Sequence, residues 1–120
     1  MTKTKLQKMR DTFAKEVMGL TKKQHSVTKK FYWIDFTDER MWDYEDWKPD
    51  ESIKQATLLL PEFGRKYHWA IISMPDAQIR FEYSPRGGAL YIGHKLFADA
   101  ANMAMAISKG IYKTLEANVD

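Results

Sequence analysis

Two carboxylates and a lysine in the middle of this chain stand at a spacing that could do chemistry. Asp35 lies near the end of the aromatic run FYWIDF, and eleven residues later Asp46 and Lys48 flank Trp47. Oxygen ligands on neighbouring strands can hold a hard divalent cation, and a lysine beside them can stabilise charge developing on a phosphate. His25, His68 and His94 have no i,i+4 pairing and no HExxH or nucleophile-elbow context, so neither a zinc site nor a Ser-His-Asp triad has a warrant in the sequence. The chain has no cysteine, which excludes thiolate zinc sites, cysteine nucleophiles and disulfides. The turns FGRK and SPRGG set glycines beside Arg65, Lys66 and Arg86, as phosphate-cradling loops do. Neither matches a Walker or dinucleotide fingerprint, and ordinary hairpin turns explain both.

Asp35 followed by Asp46-Trp47-Lys48 resembles the signature of the PD-(D/E)xK nuclease family. In that family a strand aspartate and a second carboxylate on the next strand hold Mg²⁺, and the lysine two residues on stabilises charge or positions the attacking water. The resemblance implies Asp35 and Asp46 as ligands, Lys48 as the catalytic lysine and Glu16, on the expected first helix, as an additional acid. A charged edge hairpin, kept from aggregating by its carboxylates, accounts for the same residues.

The surrounding run, TDERMWDYEDWKPDE from Thr37 to Glu51, threads seven carboxylates among Trp42, Tyr44 and Trp47. Trp and Tyr dominate binding hot spots, and a carboxylate rim steers basic partners. Trp42, Asp43, Tyr44, Glu45 and Trp47 are therefore the leading candidate site, for a protein partner. A second surface is basic: Lys5, Lys8, Lys15, Lys22, Lys23, Lys29 and Lys30 could neutralise phosphates, with Tyr67, Trp69, Tyr83 or Tyr91 stacking on bases.

These residues need elements to hold them. Leu6, Met9, Phe13, Val17 and Leu20 recur at steps of three and four, which predicts an amphipathic helix with its lysines off the buried stripe. TKKQHSVTKK reads as a loop and FYWIDF as a buried strand. TDER then reads as a turn and MWDYEDW as the return strand of a hairpin. Asp50 is a candidate cap for a helix through Ile53 and Leu60, which Pro61 limits, with a short strand over the three leucines as the alternative. KYHWAIISM, QIRFEYS and ALYIG read as a three-stranded meander. HKLFADAANMAMAISKGIYKTLEA reads as one helix. Its small series Ala100, Ala104 and Ser108 fits packing on the sheet or against a second subunit.

Charge is distributed unevenly along the chain. Residues 1–30 carry nine lysines and arginines against Asp11 and Glu16, whereas residues 31–60 carry eight acids against Arg40, Lys48 and Lys54; the whole chain is only +3. The 120 residues suit a single domain, with a basic helix and loop (1–30), an acidic-aromatic hairpin (31–48), a helix and strand meander (49–93) and a C-terminal helix (94–117). The expected fold is α+β: a mainly antiparallel sheet of about five strands with helices packed on one side, in the order α-β-β-α-β-β-β-α. No run resembles a signal peptide or a membrane span, so a cytoplasmic protein is expected, with no cofactor and no membrane partner. The functional expectation is a small regulator, inhibitor or adaptor that binds a protein. Nucleic-acid binding and Mg²⁺-dependent nuclease activity are the alternatives, and a homo-oligomer could form through the C-terminal helix.

Overall fold

The computed structural model describes residues 2–37, 39–86 and 96–117. The protein is α+β and forms two compact units, Met1–Lys48 and Pro49–Asp120. Instead of one sheet of about five strands, the described residues form two antiparallel sheets of three, ordered β1-β2-β3 and β4-β5-β6.

In the first unit the periodic segment becomes α1 (Lys3–Thr12), capped by Thr2, whose Oγ1 accepts the Lys5 N–H at 3.2 Å. A π-helical turn (Phe13–Val17) continues it, closed by the Met18 N–H donating to the Phe13 carbonyl at 3.0 Å. The wider turn shifts the side-chain register, and Met9, Phe13 and Ala14 are all fully buried. Gly19 then reverses the chain at φ +67°, a left-handed conformation that costs glycine nothing sterically.

The strands of this unit are β1 (Thr21–Gln24), β2 (Phe31–Ile34) and β3 (Arg40–Asp43). TKKQ, expected as loop, is the strand β1. Polar residues of low strand propensity are carried by pairing with an aromatic neighbour, Lys22 opposite Trp33 and Gln24 opposite Phe31. His25 shapes the β1–β2 turn, its Nδ1 accepting the N–H groups of Val27 and Thr28, both at 3.2 Å. The expected return strand is shorter than MWDYEDW: β3 ends at Asp43, and Tyr44–Asp46 forms a 3-10 turn.

The second unit holds α2 (Ile53–Thr57), α3 (Leu60–Phe63), β4 (Tyr67–Ser73), β5 (Ile79–Pro85), β6 (Leu96–Ala100) and α4 (Met103–Ala117). Ser52, rather than Asp50, caps α2, its Oγ accepting the Gln55 N–H at 3.3 Å, while Asp50 is buried. Pro61 opens α3, where its missing N–H costs nothing.

The C-terminal segment is not one helix. LFADA is β6, paired with β5 so that Phe81 faces Ala98 and Arg80 faces Asp99. Asn102 then restarts the chain as a helix by accepting the Met105 N–H on Oδ1 at 2.8 Å. Ala104, Ile107, Ser108 and Ile111 of α4 are buried. Gly110 brings the helix so close to β5 that a Cβ there would stand 2.4 Å from Phe81 Cδ2. Ala104 and Ser108, two of the small residues offered for a subunit contact, thus lie in the chain's own core. The expected strand ALYIG and the start of the last helix at His94 lie outside the described residues. Among the described residues, no helix is long and apolar enough to cross a membrane.

Candidate functional site

The acidic-aromatic run is built on the first unit, and its aromatic half is turned inward. Trp47 is 1% exposed, and its Nε1–H donates to the Arg10 carbonyl at 2.8 Å. Trp42 packs on Trp47 with ring centroids 5.8 Å apart, and Tyr44 packs on Trp33 at the same separation. The Tyr44 hydroxyl donates to Asp11 Oδ2 at 3.1 Å. Burial, with the hydrogen bond and charge of Asp11, pushes its phenol pKa up to about 12. These contacts fasten the 3-10 turn to the side of α1.

The carboxylates of the same stretch face water. Asp43, Glu45 and Asp46 are all exposed, and Asp43 pairs with Arg40. They stand at a cavity of about 550 Å³ whose lining also includes Lys29, Lys30 and Arg40. The Arg40 guanidinium lies 5.0 Å from the centre of the Tyr32 ring, a cation–π contact at this rim. The result is a surface of both charges over a rigid aromatic base.

Of the seven lysines offered for nucleic acid, Lys5, Lys8, Lys15, Lys23, Lys29 and Lys30 are exposed. Lys22 is held between rings, its Nζ 4.5 Å from the centre of Phe31 and 4.2 Å from that of Tyr44. An open groove of about 1000 Å³ runs along the helix, lined by Lys3, Lys8, Arg10 and Lys15 together with Asp11 and Glu16. The aromatic residues offered for base stacking belong to the second unit: Tyr83 is buried, Tyr67 stacks on Phe63 with centroids 4.6 Å apart, and Trp69, partly exposed, stacks on Phe81. Tyr91 is outside the described residues.

Asp35 and Asp46 flank β3 at its two ends rather than lying side by side on adjacent strands. A four-residue strand spans roughly 13 Å, too far for one cation to bridge. Asp35 caps the β2–β3 turn, with Oδ1 accepting from Thr37 N–H at 2.8 Å, Thr37 Oγ1 at 2.6 Å and Glu39 N–H at 3.0 Å. The Thr37 hydroxyl, with these two backbone N–H groups, holds the Asp35 carboxyl below the ordinary aspartate value. Lys48 is exposed at the end of the unit. Among the described residues, no group of three or more His, Asp or Glu side chains is placed to hold a metal ion.

The sequence reading missed the contribution of the β1–β2 turn to the acidic rim. Lys29 adopts φ 62°, and its N–H donates to the His25 carbonyl at 3.0 Å, bringing the two turn lysines alongside Asp43 and Glu45. The available signal is His25, four residues before Lys29, whose Nδ1 and carbonyl both accept hydrogen bonds within the turn. Comparison of the chain with known protein families, with curated proteins and with solved structures gave no match.

Proposed function

We propose that this protein works by binding a macromolecular partner, a protein with a basic or mixed-charge surface, through the outer rim of the acidic hairpin. The contact residues are Asp43, Glu45 and Asp46 with Lys29, Lys30 and Arg40, and the role is that of a regulator, inhibitor or adaptor. The observation that supports this reading is the anchoring of Tyr44 and Trp47 onto α1. It presents the carboxylates on a preorganised turn, and a surface ordered in advance loses less entropy on association. The proposal thereby shifts the hot spot from the three rings to the rim they support.

Its test is a comparison of three forms: wild type, the charge-reversed D43K/E45K/D46K, and K5E/K8E/K15E. A partner captured by wild type should, when purified, bind the second form at least tenfold more weakly and the third unchanged. Equal binding by the first two forms would remove the hairpin from consideration.

Nucleic-acid binding through α1 is the second reading, favoured by the exposed lysines and the groove beside them. It requires affinity for a short duplex or single strand at low salt that falls steeply with ionic strength and is lost in K5E/K8E/K15E.

A further inference from the structure

The edges of the two sheets are protected to very different degrees. β1 carries Lys22 and Lys23, β3 carries Arg40 and Asp43, and β6 carries Asp99. These charges, and strands of only four or five residues, blunt an edge against pairing with another chain. β4, YHWAIIS, is seven residues long and, among the described edge strands, is the one with no Lys, Arg, Asp or Glu. It has no proline, and its register with β5 is unbroken from Tyr67 opposite Pro85 to Ser73 opposite Ile79. Trp69 and Ile72 are 41% and 36% exposed along it.

The main chain shows which groups on this edge are open. Met74 N–H donates to the Gln78 carbonyl and Arg86 N–H to the Lys66 carbonyl, both at 2.8 Å. In an antiparallel ladder the hydrogen-bonded pairs alternate, so the even-numbered residues from Lys66 to Met74 face β5. Tyr67, Trp69, Ile71 and Ser73 therefore direct their N–H and C=O groups away from it.

We propose that β4 pairs antiparallel with β4 of a second copy of this chain, with the two-fold axis at Ala70, joining two three-stranded sheets into one of six. In this register Tyr67 meets Ser73 and Trp69 meets Ile71 as hydrogen-bonded pairs, and all seven residues are used. Trp69 beside Ile71 is an aromatic-to-branched pair of the kind that stabilises neighbouring strands, and symmetry makes it twice. Charge selects the antiparallel sense. Arg65 and Lys66 precede β4 and Asp76 follows it, all exposed, so antiparallel pairing sets each basic end against the partner's aspartate. Parallel pairing would put like against like. This contact lies wholly in the second unit and does not depend on the function proposed for the first.

The chain has no cysteine, so a single introduced thiol reports the register. Ala70 would oppose its own symmetry mate in a non-hydrogen-bonded pair with Cα atoms about 4.5 Å apart, within disulfide range. Ser73 would lie roughly 20 Å from its mate. Wild type should sediment at twice 14.1 kDa, A70C should become a covalent dimer under mild oxidation, and S73C should not. Ser73→Pro removes an outward N–H that β5 does not use, and should shift the assembly to monomer with circular dichroism unchanged. If that variant fails to fold, the cysteine pair still decides. A monomeric wild type at all concentrations overturns the proposal, as does a dimer in which A70C stays reduced, or equal cross-linking of A70C and S73C.

Discussion

Replacing Tyr44 with phenylalanine, at two pH values, tests whether the hairpin is fastened to α1 as its contacts require. The phenol donates to Asp11 Oδ2 at 3.1 Å, and its pKa is pushed up from 10.0 to about 12 by burial first and by Asp11 second. The folded value lies above the unfolded one, so folding favours the neutral phenol. Its contribution is complete below about pH 10 and is lost as pH rises through about 12. Two units correspond to about 2.7 kcal/mol, and solvent screening of this half-buried pair reduces that to roughly 1–2 kcal/mol. Near pH 8, Tyr44→Phe should destabilise the protein by about 1 kcal/mol through the lost hydrogen bond. Near pH 11 about half of the pH-dependent contribution is gone, so the gap between the two proteins should narrow to within error. The difference between the two proteins at each pH is the informative quantity. Urea unfolding followed by tryptophan fluorescence measures it. A gap of constant size from pH 8 to 11 would refute the coupling between the phenol and Asp11.

Two further substitutions test the second unit. Gly110→Ala puts a Cβ 2.4 Å from Phe81 Cδ2 and 3.2 Å from Tyr83 Cε1, an overpacking cost of about 1–3 kcal/mol. The gain in helix propensity of about 1 kcal/mol offsets only part of this, so thermal unfolding should move down, and a rise in Tm would show that α4 stands further from β5. Arg80 donates to both oxygens of Asp99, at 2.8 and 3.0 Å, and so holds the Asp99 carboxyl below the ordinary aspartate value. That stability is present above the unfolded value and is lost as pH falls through the folded one, so Arg80→Met should flatten the acid limb of a stability profile. An unchanged limb would mean that the pair contributes nothing to folding.

The parts of the fold legible in the sequence are those where local pattern and tertiary packing agree. FYWI, the alternation of IRFEY and the stripe Leu6-Met9-Phe13 all became the strands and helix their spacing predicts. β1 was not legible because only Thr21 in TKKQ favours a strand; pairing with β2 imposes it. β6 was not legible because LFADA continues the apolar period of the following helix. Only the pairing of Asp99 with Arg80, nineteen residues away, reveals it as a strand. At the candidate site the sequence could not orient the rings, since their direction depends on Asp11 and the Arg10 carbonyl, more than thirty positions distant.

Acidic side chains crowd around the largest rings of a basic chain because one short stretch faces two environments. Packing Trp47 and Tyr44 onto α1 buries aromatic surface at roughly 25 cal/mol per Å², and each ring also places its polar atom on a fixed acceptor of the helix. A turn so tightly held still has an outer side, and carboxylates there stay hydrated while keeping the exposed edge of β3 from pairing with another chain. β4, by contrast, carries no Lys, Arg, Asp or Glu along its edge. Within one protein, charge is thus spent on closing three sheet edges to strand addition, while β4 retains the features that admit it.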